Sequence, residues 1–268
     1  MPKSKFDRYS LKHNLLKRVA IRIDFDGLTN LDALIQRLKR HELAEIFGSY
    51  RKLVMPVGGQ FSDDDSIDGP THVFYDYLKT KDKVELTLSL SRITIQIGCV
   101  EYGNIDSYLV LMEQVAKAIL MSDAYVEITK IGIRKIAAFE NPSPIKVFNI
   151  FEKDMFMSDK ILKMRKKEDI KGVRTKYEDT LLCLQKYPVM VSLKRLVRHL
   201  FDPVERTHQL QAILDIEGSI DGSDIKDAGS TVSIEDIFSA MQVINDELFE
   251  MFKTSVTLKY LNAHGCLR

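Results

Sequence analysis

The densest group of acidic side chains lies between residues 215 and 227. Asp215 and Glu217 are two positions apart in a strand-like stretch, so they share one strand face, and Asp221, Asp224 and Asp227 follow. Their oxygens suit Mg²⁺ or Ca²⁺. However, the spacing fits no calcium-binding loop, and exposed acids need no partner. We interpret the group as a wet strand edge followed by a solvated loop, and a metal-dependent enzyme is the less favoured alternative.

Other catalytic signatures are weak. The tripeptide Gly58-Gly59-Gln60 occurs in peptide release factors, which use it to admit water to peptidyl-tRNA, but Asp63, Asp64 and Asp65 follow it here. These acids would repel a phosphate backbone, so the tripeptide predicts an ordinary loop. The six histidines show no ligand spacing, and the sequence contains no P-loop, dinucleotide fingerprint or G-x-S-x-G elbow. We predict no catalytic residue, no metal and no cofactor, although a triad of scattered residues remains open.

One segment has a sustained charge imbalance. It spans residues 160–176, where Glu168 and Asp169 are outnumbered by Lys160, Lys163, Arg165, Lys166, Lys167, Lys171, Arg174 and Lys176. Two interpretations stay open: a solvated helical connector, or a surface for an anionic partner, either nucleic acid or an acidic protein face. Aromatic residues occur only at the margins of the segment, so base stacking is poorly supported. We take these lysines and arginines as the candidate partner- or nucleic-acid-binding residues.

The totals limit the other classes of function. The chain has 268 residues and a net charge of +1, so any electrostatic recognition must be local. The basic, polar start is unlike a secretory signal, and no apolar run is long enough to span a membrane. Cys99, Cys183 and Cys266 lie far apart and predict reduced thiols. We therefore expect a cytoplasmic protein with no membrane partner.

Periodicity predicts the elements of the first half. Val19, Ile21, Ile23 and Phe25 alternate with polar residues, as in a strand with one wet face. The pattern then predicts a helix capped by Thr29 and reaching to about residue 47, a loop over 56–70, three antiparallel strands over 72–98, a helix over 104–123 and a strand from 125.

The strand YVEITKIGIRKIAAFENPSP, residues 125–144, has an irregular pattern. Val126 and Ile128 occupy even positions, whereas Ile131 and Ile133 occupy odd ones. The apolar face therefore changes parity, which predicts a β-bulge near Thr129 with Gly132 at a bend. Arg134 and Lys135 are then expected on opposite faces. We expect Arg134 to cover an apolar edge or to bridge an acid rather than to catalyse.

The second half repeats the order of the first. The pattern predicts strands over 176–185, 187–201 and 204–220, a helix capped by Ser233 with Asp236, and a final strand over 254–261. Asp106 aligns with Ser233 and Ile131 with Leu258, so helix starts and closing strands superpose. We predict an α+β fold of two similar antiparallel-sheet units, each crossed by a long amphipathic helix. The expected domains are an N-terminal unit (1–143), a basic helical connector (144–172) and a C-terminal unit (173–268).

Three segments resemble a sporadically distributed family of uncharacterised bacterial proteins. KIGIRKIAAFENPSP is similar to that family's R-x-G-L-R-Y-x-N segment, LDIE (214–217) to its LDID strand, and the C-terminal INDELFEMFKTSVTLKYL to its closing helix followed by F-x-x-x-I-T. Lys135 and Ala137 stand where the family favours Tyr and Asn, Glu217 replaces the second acid, and Asn245 lies near a commoner His.

The resemblance implies a bacterial origin and, from the family's patchy occurrence, a toxin–antitoxin or phage-defence setting. It implies no activity. Our hypothesis is a non-enzymatic interaction or accessory protein that binds a protein partner. A homo-oligomer is also compatible with the sequence. The alternative is a nucleic-acid-binding protein that uses the basic connector.

Overall fold

The structure is a computed structural model of the chain. It describes residues 15–30, 33, 36, 49–56, 71–79, 84–89, 91–98, 105–120, 126–140, 150–151, 175–183, 189–202, 207–225 and 232–263. Apart from Pro56, which ends a strand, the predicted loop over 56–70 lies outside this part, as does most of the predicted helix over 29–47. At the helix start, Asn30 Oδ1 accepts a hydrogen bond from the Ala33 amide at 3.0 Å, so Asn30 occupies a capping position next to the expected Thr29.

The described elements are mixed, as the α+β prediction requires. The strands are β1 (Leu16–Asp26), β2 (Ser49–Pro56), β3 (Thr71–Lys79), β4 (Val84–Leu88), β5 (Arg92–Gly98), β6 (Glu127–Glu140), β7 (Thr175–Cys183), β8 (Met190–Asp202) and β9 (Thr207–Asp221). The helices are α1 (Asp106–Leu120), α2 (Gly222–Ile225), α3 (Ile234–Ser255) and α4 (Leu258–Ala263).

The nine strands belong to one sheet in the order β2-β3-β4-β5-β1-β6-β9-β8-β7. The pairs β2–β3, β3–β4, β4–β5 and β7–β8 are antiparallel. The predicted three-strand meander is therefore confirmed as β3, β4 and β5. The expectation of two separate sheets is wrong, and the sequence pattern did not predict β2.

The chain forms two compact units. The first unit contains residues 19–133 and 219–242, and the second contains residues 1–18, 134–218 and 243–268. The domain boundaries expected near residues 143 and 172 lie outside the described residues, so that division stays a prediction. The predicted similarity between two repeated units is not confirmed.

The core of the first unit follows the predicted alternation of β1. Val19, Ile21, Ile23 and Phe25 are fully buried, whereas the residues between them are partly exposed. On β5 the buried residues are Ile93, Ile95 and Ile97, and on α1 they include Leu109, Met112 and Val115. A period of two on the strands and of three to four on the helix places these apolar side chains in the interior.

An aromatic cluster forms part of the core of the second unit. Phe139 on β6 meets the ring of Phe151 edge-on at 5.7 Å and the ring of Tyr260 edge-on at 5.3 Å. Phe139 and Phe151 are each about 1% exposed. Edge-to-face contacts at these distances are favourable. The cluster therefore joins α4 and residue 151 to β6.

The predicted final strand over 254–261 is wrong. Helix α3 continues to Ser255, Val256 makes an isolated antiparallel bridge with Phe151, and α4 begins at Leu258. Thr257 caps the start of α4, because its Oγ1 accepts a hydrogen bond from the Tyr260 amide at 3.1 Å. The alignment of Ile131 with Leu258 consequently matches a strand with a helix.

The membrane expectation has one structural test. Among the helices in the described ranges, none combines the length and the apolar character needed to cross a bilayer.

Candidate functional site

The burial pattern of β9 places its two acids on one face. Ala212, Leu214 and Ile216 are buried, whereas Asp215 and Glu217 are partly exposed. Because strand side chains alternate, the two carboxylates lie on the face opposite the apolar side chains. The prediction that Asp215 and Glu217 share a strand face is confirmed.

Arg134 of the neighbouring strand β6 binds the first of these acids through two hydrogen bonds. Its Nε donates to Asp215 Oδ1 at 2.8 Å and its Nη2 donates to Asp215 Oδ2 at 2.6 Å. The hydrogen bond to Asp215 raises the pKa of Arg134, and the nearby charge of Glu217 adds to this effect. The Arg134 side chain is 46% exposed and the Asp215 side chain 14%. The expectation that Arg134 bridges an acid is confirmed.

Lys135 makes its contact with helix α3. Its Nζ donates a hydrogen bond to Oδ1 of Asn245, a residue that is only 3% exposed. Consecutive residues of a strand project to opposite faces, so Arg134 and Lys135 lie on opposite sides of β6, as predicted. Arg134 thus joins two strands, while Lys135 joins a strand to a helix.

A similar ion pair occurs in the first unit. Arg92 on β5 donates from Nε to Asp24 Oδ1 at 2.6 Å and from Nη2 to Asp24 Oδ2 at 3.1 Å. Arg22 Nε lies 3.5 Å from Asp24 Oδ2. Such planar, two-bond recognition is specific to arginine and a carboxylate. In each unit, therefore, one strand acid, Asp24 or Asp215, binds a guanidinium of the same unit.

The acids at the end of β9 and beyond it do not form a metal site in the described part. Asp221 Oδ1 lies 3.7 Å from Lys130 Nζ, and Asp224 is exposed on α2. Asp227 lies outside the described residues. Within the described ranges, no group of three or more His, Cys, Asp or Glu side chains is placed to hold a metal ion.

Several predicted features cannot be placed. Gly58-Gly59-Gln60 and the basic residues Lys160, Lys163, Arg165, Lys166, Lys167, Lys171 and Arg174 all lie outside the described residues. Their proposed roles stay predictions.

Sequence reasoning missed two features of these clusters. The Arg92–Asp24 pair joins residues 68 positions apart, and the Lys135–Asn245 bond joins residues 110 positions apart. Asn245 is a polar residue among the apolar positions of a helix. That pattern could have predicted a bonding partner for its side chain, because a buried amide requires one.

Comparisons with known proteins add no family or function. No protein-family model matches the chain, and no curated protein matches it significantly.

Proposed function

We propose that this protein is a non-enzymatic interaction component with a protein partner. The supporting observation is the bidentate binding of Asp215 by Arg134. A carboxylate that accepts two hydrogen bonds from a guanidinium has one lone pair of each oxygen and its negative charge engaged by that neighbour, so metal binding or proton transfer at these oxygens would compete with the pair.

The Arg92–Asp24 pair supports the same proposal from the first unit. Both oxygens of Asp24 accept hydrogen bonds from Arg92. Because the pairs hold neighbouring strands in two units, we assign their charged groups to the stability of the sheet. We therefore assign the binding of a partner to other surfaces of the chain.

The partner surface that we propose is the charged segment over residues 160–176. Its excess of lysine and arginine would attract an acidic face of a protein. The setting that we propose, a bacterial toxin–antitoxin or phage-defence system, rests on the family resemblance. The second candidate function is nucleic-acid binding by the same residues, which the charge of the segment favours independently.

The test is affinity purification from the native cell with a variant carrying Lys163→Glu, Arg165→Glu, Lys166→Glu and Lys167→Glu. The matched control carries four reversals at exposed positions elsewhere: Lys17→Glu, Arg18→Glu, Lys117→Glu and Lys259→Glu. Both variants change the net charge equally, so a loss caused by overall charge affects both. A loss specific to the connector affects only the first.

The outcomes separate the two functions. A protein partner that is lost only from the connector variant, and that withstands nuclease, supports the protein-binding proposal. Bound nucleic acid that weakens steeply with salt supports the second candidate, because each neutralised phosphate releases counterions. Identical partners on wild type and connector variant contradict both assignments to this segment.

A further inference from the structure

We draw no further inference here: the strongest candidate, the sheet face of β6 and β9 opposite α3 on which Ile136 and Ile213 are partly exposed, carries none, because nothing in the described part of the structure shows what covers it.

Discussion

Arg134 and Asp215 form a two-bond ion pair between the neighbouring strands β6 and β9, with N···O distances of 2.8 and 2.6 Å. The pair occupies the partly exposed side of β9, opposite the buried Leu214 and Ile216. Its geometry is ideal for arginine, and lysine could not reproduce it. The pair therefore joins two strands that are distant in sequence.

The first prediction concerns the strength of this pair. In a double-mutant cycle of Arg134→Ala and Asp215→Ala, the coupling free energy should be about 0.5 to 1 kcal/mol, since the Arg134 side chain is 46% exposed and water screens its charge. Urea unfolding of the four proteins measures it. Arg134→Lys should lose most of the coupling, and partner capture should survive all three changes. Zero coupling, or lost capture in folded variants, would contradict a purely structural role.

The second prediction compares two glycines. A Cβ at Gly222 would lie 2.0 Å from the backbone oxygen of Ile128, whereas a Cβ at Gly218 would lie 2.8 Å from the Cγ2 atom of Ile244. A strand backbone cannot yield as a side-chain end can. Gly222→Ala should lower the free energy of unfolding by about 3 kcal/mol, and Gly218→Ala by about 1 kcal/mol. Equal losses in chemical denaturation would show that the contact with Ile128 is not the limiting one.

The third prediction concerns the cap of α3. Ser233 Oγ accepts a hydrogen bond from the Asp236 amide at 3.1 Å, and Asp236 Oδ2 accepts one from the Ser233 amide at 2.9 Å. The sequence predicted this reciprocal capping box from two residues three positions apart. Ser233→Ala should destabilise the protein by about 1 kcal/mol, and Ser233→Thr by much less. Similar losses in the two variants would argue against the hydroxyl as the cause.

The same cap gives a pH dependence. Hydrogen bonds with Ser233 lower the pKa of Asp236, and the bond with the Ser233 side chain has a larger effect than the bond with its backbone. A carboxyl whose pKa is lower in the folded state stabilises that state at neutral pH, and the contribution is lost as pH falls through the folded-state pKa. The difference in unfolding free energy between wild type and Asp236→Asn should therefore shrink in acid. A constant difference between neutral and acidic pH would refute the linkage.

The accuracy of the sequence predictions follows the range of the interactions. Val19, Ile21, Ile23 and Phe25 predicted β1, and Ser233 with Asp236 predicted the start of α3, because alternation and capping act over a few residues. The final strand was mispredicted because TSVTLKYL has β-branched residues, while the Thr257 cap starts α4 instead. Local propensity was overridden by the tertiary environment, in which Leu261 is fully buried and the Tyr260 ring contacts Phe139.

Sequence patterns could not join the two expected sheets into one. β1 is the first strand along the chain, yet it lies between β5 and β6, which come much later in the sequence. The same limit applies to the clusters. The acids at 215 and 217 suggested a metal ligand set, and only the fold reveals that Arg134, 81 positions away, binds Asp215.

The last prediction tests the metal-dependent alternative directly. Saturating Mg²⁺ or Mn²⁺ should leave the melting temperature unchanged, because both oxygens of Asp215 already accept hydrogen bonds from Arg134. A specific site at saturation would stabilise the folded state by a few kcal/mol. The matched variant Asp215→Asn with Glu217→Gln removes the two carboxylates and should respond as wild type does. A metal-dependent rise in wild type that the variant lacks would establish a cation site at β9 and contradict the non-enzymatic proposal, since metal binding would then outcompete the ion pair.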